Sequence, residues 1–326
     1  MKAGRIGAAA VLLALALLTG CTGKEAALTT VRLNEVTHSV FYAPQYVAMS
    51  LGFFEEEGLA VELTNGGGAD KVMTAVLTDA ADIGLAGPES CIYVWQEGRE
   101  DYAVVFGQLT KRDGSFLVGR EGGDFDWEQL RGKTVLGGRK GGVPEMTLEY
   151  VLRQHGLVPG VDVNVDTSVQ FNMMAGAFTG GSGDFVALFE PTATEVEREG
   201  KGVVLKSIGQ ESGEIPYTAF FALKSTLRDR ADMIAAFTRA LSRSQSWVQT
   251  HSAKEIAEAI APQVPDSDGE LLTAVCQRHK DVDAWCATPV MTEDAFDRLQ
   301  TVMETAGELT ERADYGKIVD NSWAEK

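Results

Sequence analysis

Residues Thr134–Gly156 read TVLGGRKGGVPEMTLEYVLRQHG, and this stretch decides the fold class. A short β-branched run, Thr134 to Leu136, gives way to a loop holding Gly137, Gly138, Gly141 and Gly142. Pro144 then stands at the start of a helix, Glu145 in its first turn, and Met146, Leu148, Val151 and Leu152 recur at helical spacing. The order is strand, glycine loop, helix. Such a turn aims the free N–H groups of the helix start into a crevice and lets a ligand approach the main chain. The loop is not a nucleotide signature. A P-loop ending in Gly132-Lys133-Thr134 would need glycine where Trp127 stands, and Gly137-Gly138-Arg139 breaks the dinucleotide pattern. A general helix-start ligand loop and a plain tight turn both remain open.

Outward from this stretch, strand-loop-helix units repeat. Before it lie strands at Val31 to Val36, Ala60 to Leu63 and Ile83 to Ala86, with helices at Pro44 to Glu57, Ala69 to Ala80 and Cys91 to Gln96. Tyr102 to Leu109 and Phe116 to Val118 are strand-like and flank the charged turn Lys111 to Gly114. After the stretch come a strand near Val163 to Val165, a helix opened by Phe171-Asn172, the apolar strand Phe185 to Phe189, and strands at Val203 to Ile208 and Tyr217 to Leu223. Helices fill 229 to 250, 253 to 261, 268 to 284 and 292 to 307. This alternation predicts an α/β fold with parallel sheets, whose ligands sit beyond the carboxyl ends of the strands.

The N-terminus sets the compartment. Lys2 and Arg5 precede an apolar run from Ala8 to Leu18, too short for a membrane span, and Leu18-Thr19-Gly20-Cys21 follows. Residues 1–20 read as a lipoprotein signal peptide, Cys21 as the lipidated residue, and 21–30 as a tether. The protein is expected on the extracytoplasmic face of a bacterial cell membrane, held by that lipid alone. The net charge of −18 becomes −20 once Lys2 and Arg5 are removed. So acidic a chain argues against nucleic acid and anionic lipid as partners. Cys91, Cys276 and Cys286 form no metal-binding pattern with the scattered His38, His155, His251 and His279, and are expected as buried free thiols, with a Cys276–Cys286 disulfide as the alternative. Asp266 to Gly269 hints at a calcium loop, but Gln277 stands where its glutamate belongs, so a helix cap is expected.

The segments THSVFYAPQYVAMSLGFFEEEGLAVEL (37–63), NGGGADKVMTAVLTDAADIGLAG (65–87) and LRGKTVLGGRKGGVPEMTLEYVLRQHGL (130–157), behind a lipobox, resemble the substrate-binding proteins of bacterial ABC importers. The branch is the one that binds sulfonates, nitrate, thiamine pyrimidine precursors and riboflavin. The resemblance spans roughly residues 30 to 225. It implies a two-lobed, periplasmic-binding-protein-like (type II) fold with a helical C-terminal tail. One lobe would comprise 31–112 completed by 219–326, and the other 113–218. It also implies a monomer that closes on a small molecule and presents it to a permease and its ATPase, with no cofactor and no catalysis.

The loops at strand ends supply the candidate ligand residues. His38, Phe41 and Tyr42 follow the first strand, and Asn65 and Gly67 the second. Gly87, Pro88 and Glu89 follow the third; Gly138, Lys140, Gly141, Gly142 and Glu145 form the glycine loop. Phe171, Asn172, Glu190 and Tyr217 complete the set. Aromatic rings with an imidazole suit a flat heteroaromatic ligand. Glu190, directly after the strand 185–189, either meets N–H donors of such a ligand or balances a helix dipole. Arg139 and Lys140 suit an anion, but three nearby carboxylates, Glu89, Glu145 and Glu190, would repel one. A neutral, N–H-rich heterocycle is therefore expected, a thiamine pyrimidine precursor first and riboflavin next. An enzyme resembling the pyrimidine synthases of this fold would need a cysteine-rich motif that the chain lacks. A surface sensor or adhesin is the third class.

Overall fold

The computed structural model describes residues 27–324, so the signal peptide, Cys21 and most of the tether lie outside the described residues. The chain builds two five-stranded sheets. The first holds β1 (Thr29–Glu35), β2 (Leu59–Asn65), β3 (Ile83–Ala86) and β4 (Ala103–Thr110). The second holds β5 (Ser115–Gly119), β6 (Thr134–Leu136), β7 (Asn164–Asp166), β8 (Phe185–Phe189) and β9 (Val203–Ser207). β10 (Thr218–Leu223) returns to the first sheet. Strand orders are β2-β1-β3-β10-β4 and β7-β6-β8-β5-β9. In each sheet three strands run parallel, and one antiparallel strand (β10 or β5) is wedged between the third and the edge strand.

The chain passes between the sheets twice, at Lys111–Gly114 and near Gly213–Tyr217. The two passages are tied together by the Ile215 N–H to the Lys111 carbonyl (2.9 Å) and the Tyr217 N–H to the Thr110 carbonyl (3.1 Å). A double ribbon of this kind is a hinge geometry.

Helices cover the faces of both sheets. Helix Ala69–Leu77 buries Val72, Met73 and Val76 at helical spacing against the first sheet, each side chain contributing about 2 kcal/mol of apolar burial. Helix Ala253–Ile260 starts at a capping box made by Ser252 and Glu255. Asp268 caps helix Gly269–Asp281 through the N–H groups of Glu270 (2.9 Å) and Leu271 (2.8 Å), which fits a cap and not a calcium loop. Among the described residues no helix is long and apolar enough to cross a membrane.

Two local expectations need correction. β1 starts at Thr29, so the tether's last two residues already belong to the sheet. The helix expected over Pro44–Glu57 is two, Ala43–Ser50 and Phe53–Glu56, because Gly52 takes a left-handed conformation (φ 76°) between them. The helix expected over 229 to 250 forms as Ala231–Thr250, and a separate short helix, Lys224–Asp229, precedes it.

The main apolar core runs without a break from the first sheet into the second, taking in Leu33, Phe41, Phe106 and Phe220 as well as Val143, Met146 and Phe178. A smaller cluster around Leu117, Trp127 and Leu152 covers the other face of the second sheet. Cys91, Cys276 and Cys286 are buried free thiols.

Candidate ligand-binding site

The end of β8, the turn after β1, the second passage and helix Gly269–Asp281 converge on one aromatic cluster. Phe41 stands at its centre, in the short 3-10 helix Val40–Tyr42 that Ser39 caps by accepting the Phe41 N–H (3.2 Å). Its ring lies 5.8 Å from Tyr42, 5.8 Å from Tyr217, 6.2 Å from Phe189 and 5.2 Å from His279. Phe189 is 6.1 Å from Tyr217, and 5.4 Å from Phe171, which is 48% exposed and forms the outer rim. These are tilted and edge-to-face arrangements, the favourable ones for aromatic pairs. Behind Phe41, Trp285 donates its indole N–H to the Phe41 carbonyl at 2.9 Å.

Buried polar groups surround these rings. Glu89, at the start of helix Glu89–Gln96, folds its carboxyl back over Gly87, where any Cβ would collide with it. Its Oε2 is buried with no hydrogen-bond partner. Burial pushes this carboxyl up to about 7, against the pull of nearby N–H groups and of Arg139 in the glycine loop. Asp113, in the first passage, accepts the Ser115 N–H at 2.6 Å, and burial lifts it to about 7 as well. Its Oδ2 and the Tyr217 hydroxyl have no well-formed hydrogen bond, although each affects the other's ionisation. His279 is fully buried with both ring nitrogens unpartnered, and burial followed by the Arg278 charge lowers it to about 3. Buried polar atoms without partners are costly; those of Tyr217 and His279 belong to the ring cluster itself, and Asp113 and Glu89 lie near enough to act on the Tyr217 hydroxyl.

Glu89 carries a testable pH signature. A carboxyl raised in the folded state contributes its full stability below the unfolded pKa and loses it as pH rises through the folded value. Glu89→Gln is expected to leave stability unchanged near pH 4 and to raise that of the ligand-free protein at pH 8, on the order of 2 kcal/mol in urea unfolding. An unaltered pH slope in the variant would show that Glu89 is not buried as an acid.

Other candidate residues lie elsewhere. His38 is committed inside the first lobe. Its Nδ1 meets Glu35 Oε1 at 2.6 Å and the Tyr46 hydroxyl at 3.0 Å, and its Nε2 meets the Gln263 carbonyl at 2.7 Å. Hydrogen bonding to Glu35 raises its pKa, so it serves as an internal ion pair and not as a free imidazole. Asn65 makes a local turn, accepting the Gly67 N–H at 2.9 Å in an exposed loop. Glu145 turns back onto its own loop and accepts the Gly141 N–H at 3.1 Å, while burial pushes it up to about 7.

Glu190 takes the second of its two expected roles, a carboxylate at the start of helix Thr192–Arg198. Its carboxylate accepts the Thr194 N–H (3.0 Å), the Thr194 hydroxyl (2.9 Å) and Arg278 Nη1 (2.7 Å), so the protein itself supplies the donors expected from a ligand. Gly87 and Pro88 are buried at the end of β3, and Gly138 (φ 84°) and Gly142 are buried in the glycine loop. Lys140 and Asn172 are exposed. Sequence reasoning missed Asp113, Arg278, His279 and Trp285, none of which follows a strand in the pattern used to find site loops.

Two sheets of matching strand order, joined by a paired double passage with an aromatic cluster between them, define the two-lobed periplasmic-binding-protein-like (type II) class. The chain belongs to the NMT1/THI5-like family, whose profile matches residues 40–254. It is 44% identical over 310 residues to YtlA of Bacillus subtilis (strain 168), a candidate binding protein, covering 95% of this chain and 92% of that one. Its fold is similar to that of the alkanesulfonate-binding protein SsuA from Xanthomonas axonopodis pv. citri bound to MOPS. That match has a TM-score of 0.71 at 14% identity over 90% of this chain and 99% of the other. The periplasmic nitrate-binding protein NrtA from Synechocystis PCC 6803 matches with a TM-score of 0.70 at 15% identity, over 91% and 87%.

Proposed function

We propose that the protein is the extracytoplasmic substrate-binding protein of an ABC importer, a monomer lipid-anchored at Cys21. On this reading it closes its lobes, 31–112 with 219–326 and 113–218, on a small flat heterocycle and delivers it to a permease driven by a separate ATPase. The observation that carries the ligand class is the pairing of the rings Phe41, Tyr42, Phe189 and Tyr217 with the buried, unpartnered Glu89 Oε2. Rings stack on a flat solute, and an acceptor lacking a donor is matched by a solute N–H. A thiamine pyrimidine precursor fits this best; riboflavin is next. A carrier role also suits the thiols. Burial pushes Cys91 well above the ordinary range and Cys276 up to about 12, the opposite of a reactive thiolate.

Sulfonate or nitrate is the second reading, supported by what the structural neighbours bind. The glycine loop weakens it. The Gly141 N–H already holds the Glu145 carboxyl, so an incoming anion would have to displace that side chain. A thermal-shift series on the protein decides between them, using an aminopyrimidine precursor, thiamine, riboflavin, taurine, alkanesulfonates and nitrate. A solute at 100 times its Kd stabilises by about 2.7 kcal/mol. A pyrimidine or flavin shift that Glu89→Gln removes supports the heterocycle. Shifts confined to sulfonates or nitrate sink that ligand class and leave an importer of anions.

A further inference from the structure

Arg278 lies on helix Gly269–Asp281, which packs on helix Ala253–Ile260 and on the 3-10 helix that carries Phe41. Its guanidinium nevertheless reaches across to the second sheet. Nη1 donates to Glu190 Oε1 at 2.7 Å and to the Thr194 hydroxyl at 3.0 Å; Nη2 donates to Glu197 Oε2 at 2.8 Å. The same group sits 5.5 Å from the centre of the Phe116 ring on β5. Every one of these partners belongs to the second lobe. A weaker pair lies further out, from Arg198 at the end of helix Thr192–Arg198 to Asp268, the cap of helix Gly269–Asp281, at 3.8 Å with both side chains exposed.

Glu190 directly follows Phe189 at the end of β8, so whatever fixes Glu190 also fixes one wall of the aromatic cluster. The Glu190 side chain is fully buried, whereas Arg278 keeps 26% of its side-chain surface exposed. If the lobes part, the cation regains water while the carboxylate keeps only Thr194. The contact is thus specific to the lobes being together. We propose that Arg278 is an interlobe clasp and a positioning residue for the ligand site, holding Phe189 against Phe41 by gripping Glu190 and Glu197. The inference rests on lobe geometry alone and is independent of which solute is carried.

Hydrogen exchange on the ligand-free full chain in detergent tests it. Arg278→Ala is expected to speed exchange by about tenfold or more in peptides covering 38–42, 185–194 and 137–142, with helix Ala231–Thr250 unchanged, because opening is sub-global. Arg278→Lys should restore part of the protection. Arg278→Ala also leaves Glu190 unpaired and could fail to fold for that reason. The pair Arg278→Met with Glu190→Gln removes the clasp without a stranded charge and should give the same local pattern. Faster exchange spread evenly over the chain, or unchanged exchange at the three segments in the double variant, would overturn the clasp. Neither result bears on the solute series above, so the two readings fail separately.

Discussion

Phe41→Ala is expected to cost about 4 kcal/mol of unfolding free energy, as truncation of a fully buried aromatic does. Phe41 is 1% exposed and touches elements from both sides of the cleft: Phe189 on β8, Tyr217 in the second passage and His279 on a C-terminal helix. A Cβ on Gly114 would come within 2.7 Å of the Phe41 ring, so the first passage is also moulded to it. Truncation therefore opens a void where four elements meet, and none of them can collapse without moving the others. Urea unfolding of the variant measures the loss. Phe41→Leu separates the two roles of the residue. Leucine fills most of the volume, so the stability loss should fall to about 1.5 kcal/mol, while the lost aromatic face should weaken a stacked solute by about tenfold. A leucine variant that binds as well as the parent would show that Phe41 is core only.

Gly209→Ala should be nearly as damaging, at about 3 kcal/mol, for a steric reason. Gly209 is the second residue of the short helix Ile208–Ser212, which lies against Asp113 of the first passage. A Cβ there would land on the Asp113 carbonyl oxygen, 2.9 Å from its amide nitrogen and 3.0 Å from its carbonyl carbon. Main-chain atoms cannot rotate aside as a side chain can, so the passage itself must shift. That shift displaces Asp113, whose Oδ1 holds the Ser115 N–H, and with it the start of β5. The expected result is a lower unfolding midpoint with an unchanged denaturant slope. A variant as stable as the parent would mean that helix Ile208–Ser212 is not in close contact with the first passage in solution.

The sequence made the scaffold readable where local rules act alone. The runs Thr134–Leu136 and Phe185–Phe189 are apolar and bounded by glycine, charge or proline, and both strands fall where those limits put them. The helix over 44–57 was misjudged because Gly58 reads as the stop, while the real break at Gly52 lies inside a run that keeps its helical spacing. The rule for parallel sheets located the loops after β1, β3 and β8, which carry Phe41, Glu89 and Glu190. What those residues touch was not readable. Glu190 meets a partner 88 positions later, and no local pattern distinguishes Arg278 from any other helical arginine. The partners of His38 were hidden for a related reason. Glu35 looked like an ordinary polar residue of β1, yet it is 1% exposed and gathers His38, Gln45 and Tyr46 around its carboxylate.

The placing of β10 between β3 and β4 also orders events in time. All five strands of the second sheet lie between Ser115 and Ser207, so that sheet can close as soon as this segment is available. The first sheet begins 86 residues earlier, at Thr29, but β4 pairs with no neighbour in its sheet until Thr218–Leu223 arrives. Pairing across so long a separation is entropically slow. A chain emerging from its N-terminus therefore finishes the later-starting lobe first, and the earlier one waits with an unsatisfied strand edge. Any factor that shields nascent chains has most to gain by holding β4 over that interval.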